Sequence, residues 1–192
     1  DREKEETGQT AERLSILGSA YKRKALISPS DRKDSLKKMS QYYEKVFRLK
    51  KERFGVYPLL NWIAGELAAH WHEKGEQPIP KKRKKELQDW MTQAKTELAA
   101  DLAREKKFWT AIIDVEADLL SELLEGVPPD ERMKFIAERY LETIKLGSPR
   151  EFESALDQIE FLLEMTENNK PLRNSLARLR KKLKQIAPAS ST

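Results

Sequence analysis

One stretch near the start of the chain constrains the fold more than any other, and it reads Leu14-x-x-Leu17-Gly18-x-x-Tyr21. Residues at i, i+3, i+4 and i+7 lie on one stripe of an α-helix, and a glycine in that stripe lets a second helix approach closely. Glycine inside a helix costs about 1 kcal/mol relative to alanine, so it usually has a packing reason. The stretch therefore predicts one helix of a closely packed pair. The alternative is an ordinary amphipathic helix that happens to contain a glycine.

The rest of the chain shows apolar residues at three- and four-residue spacing between breaks marked by glycine and proline. Eight helices are predicted, over residues 10–26, 33–51, 58–74, 80–106, 108–125, 130–146, 149–167 and 171–186. Each predicted helix has one strong apolar face, except the fifth, which is more apolar overall. Such helices must stack on their neighbours to bury these faces. The predicted fold class is all-α, with antiparallel helix pairs stacked as an α-solenoid.

Three segments are expected along the chain. Residues 1–9 are predicted to be a flexible lead-in, 10–186 the helical-repeat domain and 187–192 a disordered tail. In the first helix, an inward stripe of five residues is expected: Leu14, Leu17, Ala20, Tyr21 and Ala25. Because the chain starts with Asp1 rather than Met, we expect it to be part of a longer protein, with processing of the N-terminus as the alternative.

Composition narrows the function classes. Charged residues make up 36% of the chain and there are only seven glycines, which favours helices with wide solvated faces over a sheet. No apolar run is long enough to predict a membrane span. The absence of cysteine excludes disulfides and thiolate metal sites, and it is compatible with the predicted cytoplasmic location. The net charge of +5 is small beside 37 basic and 32 acidic residues, which are mostly interleaved.

The first helix resembles the opening of a tetratricopeptide repeat, whose signature is W-x2-L-G-x2-Y, then A-x3-F, then P. Leu14 stands in place of the tryptophan, and the other three positions match. Later in the chain, Ala137-x3-Leu141 followed by Pro149 takes the positions of the second helix and the final proline. The resemblance implies a tetratricopeptide-like fold of paired helices.

Two longer runs, residues 13–25 and 144–159, are similar to the helical-repeat region that binds TRAF proteins in apoptosis-signal-regulating kinases and their bacterial relatives. The chain departs from that pattern in its lengthened first turn, its basic Pro-rich linker at 76–85 and its lack of a second Leu-Gly-x-x-Tyr. The resemblance implies an all-α superhelix that holds partner proteins and regulates a neighbouring effector domain.

Three residues are candidates for binding a partner in a groove between helix pairs. Tyr42, Asn61 and Trp62 could line a groove between helix pairs, where aromatic anchors and polar groups bind peptides. Trp71, Trp90 and Trp109 lie among aliphatic residues at helical spacing, so packing in the core is expected for them rather than a stacking platform for bases. The first hypothesis is therefore a non-enzymatic module that binds another protein or another domain of its own chain.

The densest charge run consists of Lys81, Lys82, Arg83, Lys84 and Lys85. Basic residues at a helix start oppose the helix dipole, by a few tenths to about 1 kcal/mol, which makes an external acidic partner plausible. The second hypothesis is a nucleic-acid-associated helical domain that uses this run and the basic last helix. A solvated first helical turn is the alternative. The basic residues of the last helix suit a helix C-terminus: Arg173, Arg178, Arg180, Lys181, Lys182 and Lys184.

No constellation of residues predicts catalysis, a metal site or a cofactor. His70 and His72 are two residues apart, so on a helix they point in opposing directions rather than converging. Asp114 and Asp118 share a helical face, which leaves a paired-acid site conceivable, although a solvated face or ion pairs to neighbouring helices suit them better. We therefore predict that the chain is not an enzyme.

Overall fold

The computed structural model describes residues 10–49, 55–104 and 107–185, and these residues form α-helices and no strands. The predicted lead-in at 1–9 and tail at 187–192 lie outside the described residues. The helices are α1 (Ala11–Ile27), α2 (Arg32–Leu49), α3 (Val56–Lys74), α4 (Lys81–Arg104), α5 (Phe108–Glu125), α6 (Asp130–Ile144), α7 (Pro149–Met165) and α8 (Lys170–Lys184). The predicted all-α fold class, with a tetratricopeptide-like arrangement of helix pairs, is confirmed.

Local signals explain the helix ends. The side chain of Thr10 accepts a hydrogen bond from the backbone N–H of Arg13 and so caps α1. Ser148 and Glu151 form a reciprocal capping box at the start of α7. The hydrogen bond from the Ser148 backbone lowers the pKa of the Glu151 carboxyl below its usual value. Most predicted helix ends lie within two residues of the observed ones because such signals depend on neighbouring residues alone.

Contacts divide the chain into two compact units, Asp1–Ala69 and His70–Thr192. The sequence predicted one repeat domain over 10–186. The boundary between the units falls within α3.

In the N-terminal unit, α1 and α2 pair in antiparallel fashion. Gly18 of α1 lies against the ring of Tyr43 of α2, whose hydroxyl shares a hydrogen bond of 2.8 Å with the Ser19 hydroxyl. Nearer the turn, the buried Arg32 donates from Nε to the Ala25 carbonyl at 3.0 Å. The close approach at Gly18 agrees with the packing reason that the sequence suggested for this glycine.

The predicted inward stripe of α1 is wrong at two of its positions. Leu17 is 39% exposed and Ala20 is exposed, whereas the buried residues of α1 are Leu14, Gly18 and Ala25. Successive helical residues are about 100° apart, so a helix that touches its partner at Gly18 turns Leu17 away from it. Part of the apolar surface of α1 is therefore left at the protein surface.

α3 also packs on α2 through a second close crossing. A Cβ atom on Gly65 would lie 3.3 Å from Ser40, and the Ser40 hydroxyl donates to Glu66 Oε1 at 2.8 Å. Leu59, Ile63 and Leu67, at four-residue spacing along α3, are buried in this unit.

In the C-terminal unit, α5 packs between α4 and α6, and α8 packs on both α6 and α7. Nine residues of α5 are buried, in agreement with the apolar character that the sequence predicted for this helix: Phe108, Ala111, Ile112, Val115, Ala117, Leu119, Leu120, Leu123 and Leu124. Trp109 was expected to pack in the core, but this expectation is wrong because the residue is 51% exposed. Its neighbour Phe108 occupies the buried position instead, with the two rings edge to face at 5.1 Å.

The turn after α3 is joined to the turn before α8. Gly75 has φ +59°, a left-handed conformation that favours glycine at a helix end, and it follows α3 as the sequence predicted. The Gly75 carbonyl accepts a hydrogen bond from Asn169 Nδ2 at 3.2 Å, and the His72 carbonyl accepts one from Asn168 Nδ2 at 3.0 Å. Residues distant in sequence thus fix this corner of the C-terminal unit.

Candidate partner-binding surface

Two of the three residues predicted to line a groove lie in the core of the N-terminal unit. Trp62 is fully buried, with its ring 5.6 Å from that of Phe47 and its Nε1 donating to Glu66 Oε1 at 3.3 Å. Asn61 is also buried and donates from Nδ2 to the Tyr57 carbonyl at 3.0 Å. The polar groups of both side chains are therefore hydrogen-bonded inside the unit. The prediction that Asn61 and Trp62 line a groove is wrong because both residues are buried.

Tyr42 is the member of the predicted set whose side chain reaches the surface. Its ring stacks on that of Tyr21 of α1, with the centroids 5.6 Å apart and the planes at 12°. Lys38 Nζ lies 5.3 Å from the Tyr21 centroid, and Lys45 Nζ lies 5.8 Å from the Tyr42 centroid. The structure therefore places the aromatic pair beside two ammonium groups on an accessible seam between α1 and α2.

Sequence reasoning singled out Tyr42 but missed its partners. The signal was present as helical spacing, since Tyr21 follows Leu17 by four residues, and Tyr42 follows Lys38 by four and precedes Lys45 by three. Facing stripes on two antiparallel helices that follow one another in the chain would have suggested contact between them.

The basic run at the start of α4 is divided between paired and exposed side chains. Arg83 donates to Glu86 at 2.6 Å, and Lys84 donates to Glu125 at 2.5 Å. The side chains of Lys81, Lys82 and Lys85 are exposed. In α8, Arg178 pairs with Asp130 and Lys184 with Glu160, each at 2.5 Å. Ion pairs thus hold part of both basic segments.

The two acidic residues considered as a paired-acid site belong to a network of ion pairs between helices. Arg139 of α6 donates to both Asp114 and Asp118 of α5, and Lys95 of α4 lies 2.6 Å from Asp118. Burial lowers the pKa of Lys95, although nearby carboxylates, including Asp114, oppose that shift. The structure supports the interpretation as ion pairs between neighbouring helices.

The histidines do not converge on a common site. A ring nitrogen of His70 is hydrogen-bonded to the Gln77 carbonyl at 2.7 Å, while the backbone carbonyl of His72 accepts from Asn168. Within residues 10–49, 55–104 and 107–185, the His and carboxylate side chains form no cluster of metal-binding size. Over the same residues, each helix is too short or too polar to cross a membrane.

The described residues form an all-α fold of paired helices, with glycine-mediated crossings in the N-terminal unit, which is consistent with the class of tetratricopeptide-like proteins. Consistent with this class, a family model described as Tetratricopeptide Repeats-Sensor matches residues 1–67. The match includes the Leu17-Gly18-x-x-Tyr21 signature and supports a tetratricopeptide-like family. It does not confirm the resemblance to the TRAF-binding region of the kinases. No curated protein and no solved structure matches the chain.

Proposed function

We propose that the chain is a non-enzymatic helical-repeat module that binds another protein or another domain of its own polypeptide, as a regulatory or scaffold part of a larger protein. Repeats of this type generally mediate protein interactions, and stacked helix pairs offer extended surfaces for binding. The single observation that carries the proposal is that α1 has apolar residues on two faces. Leu14 and Ala25 are buried, whereas Ile16 is 61% exposed.

The ionisable residues support a binding role over a catalytic one. A general acid or base needs a side chain that can reach a reacting atom. Asp114 and Asp118 instead hold Arg139 between two helices, and His70 is engaged by the Gln77 carbonyl. These groups stabilise the helix arrangement.

A peptide array tests the proposed binding role. The whole chain, fluorescently labelled, is incubated with immobilised peptides of acidic, basic and apolar composition, and heat-unfolded chain serves as the control. We expect saturable binding to one compositional class that unlabelled folded chain competes away. Binding equal to that of the unfolded chain in every class would contradict the proposal.

A nucleic-acid-associated domain is the second candidate, favoured by the lysines at the start of α4. Against it, residues 70–192 contain 22 basic and 22 acidic residues, so this segment carries no net positive charge. Retention on immobilised DNA or RNA at about 50 mM salt, abolished by the triple change Lys81→Gln, Lys82→Gln and Lys85→Gln, would favour it. Passage through the column at that salt concentration would exclude it.

A further inference from the structure

An accessible face of the α1–α2 pair combines apolar, aromatic and basic side chains. It consists of Leu17 and Tyr21 of α1 and Lys38, Tyr42 and Lys45 of α2, and we call it the tyrosine–lysine face. The residues on each helix are three or four positions apart and therefore lie along one side of it. All five belong to the N-terminal unit.

The side chains of this face are held in position by one another. Each tyrosine ring has the other ring on one side and a lysine ammonium within 6 Å of its centroid. Lys38 also forms an ion pair of 2.8 Å with Asp34. Such contacts orient aromatic rings and cations before a partner arrives, which reduces the entropy cost of binding. Tyrosine is also among the residues that contribute most energy at interfaces.

Basic residues outnumber acidic residues in the α1–α2 pair. Residues 10–49 contain ten basic and four acidic residues. Three of those acids already form ion pairs inside the segment: Asp31 with Lys24, Asp34 with Lys38 and Glu44 with Arg48. Because residues 70–192 are balanced, the net charge of the whole chain arises from its first 69 residues. An excess of positive charge on one surface attracts and orients an acidic partner.

The same face favours a peptide over a nucleic acid. Bases bind by stacking on open aromatic faces, but here the two rings stack on each other and lie beside lysines. Leu17, one helical turn before Tyr21 on α1, adds exposed aliphatic surface to this face, which suits an aliphatic side chain. The combination fits a segment in which carboxylates alternate with aliphatic residues.

We propose that the tyrosine–lysine face binds an acidic segment of a partner protein, with its carboxylates on Lys38 and Lys45 and an aliphatic side chain against Leu17. This inference rests on the proposed function and specifies the chemistry of the partner.

Fluorescence anisotropy with defined probes tests the inference on the whole chain. The main probe is a labelled peptide of repeating Glu-Glu-Leu, and the comparison probes are its Gln-Gln-Leu and Lys-Lys-Leu counterparts and an oligothymidylate of similar length. We expect the Glu-Glu-Leu peptide to bind most tightly. The double change Lys38→Gln and Lys45→Gln should weaken its binding about tenfold, and Tyr42→Ala should do the same.

Two control variants separate the face from general effects of charge and folding. The double change Lys81→Gln and Lys82→Gln removes the same charge from α4 and should leave binding of the acidic peptide unchanged. Tyr42→Phe keeps the stacked ring and should therefore lose less binding than Tyr42→Ala. Circular dichroism and thermal unfolding verify that each variant is folded before its binding is compared.

The outcomes distinguish this inference from the proposed function. If the acidic peptide binds but the Lys38 and Lys45 changes weaken it no more than the Lys81 and Lys82 changes, the inference is wrong and the proposed function stands. Tighter binding of oligothymidylate, lost with the same Lys38 and Lys45 changes, would assign the face to nucleic acid instead. If none of the three peptides binds while the peptide array shows binding by the folded chain, the inference is wrong and the proposed function stands; if neither assay shows binding, both proposals are contradicted.

Discussion

A Cβ atom placed on Gly18 would lie 2.8 Å from Cε2 of the Tyr43 ring, closer than carbon atoms pack in proteins. Gly18→Ala would gain about 1 kcal/mol in helix propensity, whereas overpacking a filled core costs about 1–3 kcal/mol. Because the ring is buried and its hydroxyl is bonded to Ser19, it has little freedom to move. We expect Gly18→Ala to lower the free energy of unfolding by about 1 kcal/mol, measured by urea denaturation.

A double-mutant cycle checks the cause of that loss. Tyr43→Leu removes the ring atoms that the new methyl group would meet, so adding Gly18→Ala to it should cost nothing or stabilise through helix propensity. A Gly18→Ala variant that is as stable as the unmodified chain would show that α1 does not depend on this close approach.

Two buried tyrosines should respond in opposite directions to the loss of their hydroxyls. Tyr140 Oη is buried, and within the described part of the chain it has no hydrogen-bond partner. Tyr43 Oη shares its hydrogen bond with Ser19. An unpaired buried polar group costs about 1–3 kcal/mol, and a typical hydrogen bond stabilises by about 1 kcal/mol. We therefore expect Tyr140→Phe to raise the free energy of unfolding and Tyr43→Phe to lower it, each by about 1 kcal/mol.

The comparison contains its own control, since both changes remove one oxygen atom from a buried ring. Chemical denaturation of the two variants under identical conditions gives the sign directly. A loss of stability in Tyr140→Phe equal to that in Tyr43→Phe would show that the Tyr140 hydroxyl has a favourable partner.

The same two tyrosines predict a loss of stability at alkaline pH. Burial raises the pKa of both hydroxyls above that of an exposed tyrosine, which is about 10. Above that pH the unfolded chain releases these protons while the folded chain keeps them, so the free energy of unfolding falls as pH rises. Below it, the two groups contribute no pH dependence.

Urea midpoints measured between pH 8 and pH 11 test this expectation, because the decline should begin near pH 10. Lysine deprotonation contributes in the same range, so the double variant Tyr43→Phe and Tyr140→Phe is the reference. Its decline should be shallower than that of the unmodified chain. Identical slopes would mean that the two hydroxyls ionise as readily in the folded state as in the unfolded one.

Helix positions were predictable from the sequence because their determinants are local. The ends of α5 were predicted at Phe108 and Glu125 and are found there, between a break near Lys107 and the run Gly126-Val127-Pro128-Pro129. Proline, glycine and capping residues end or start a helix within a few positions of themselves, so these signals can be read directly from one sequence.

The rotation of each helix was less predictable because it depends on where a neighbour crosses. Helical spacing allowed either Leu17 or Gly18 at the centre of the α1 interface. In the structure Gly18 is there, buried against the Tyr43 ring. The same limit explains why Trp62, proposed for a groove, is buried, while Trp109, expected in the core, is half exposed. The Tyr21–Tyr42 stack depends on such a crossing and was missed for the same reason.

The Arg139 network should contribute more to stability than an exposed ion pair of the same chemistry. Arg139 joins Asp114 and Asp118 with side chains that are 28%, 18% and 16% exposed, whereas Arg178 and Asp130 are 63% and 77% exposed. Arg139→Leu removes the partner that two partly buried carboxylates share, although Lys95 still lies beside Asp118. Solvent screening reduces the cost from that of a fully buried pair to about 1–3 kcal/mol. Arg178→Leu should cost less than about 0.5 kcal/mol.

Denaturation of both variants at low and high salt measures the difference. Salt screens exposed pairs more than buried ones, so the excess cost of Arg139→Leu should persist near 1 M salt while any cost of Arg178→Leu disappears. Equal costs in the two variants would mean that the carboxylates of α5 are solvated well enough to need no partner. In that case the ion pairs of Arg139 would add little to the packing of α5 on α6, and Arg139 would be free for other contacts.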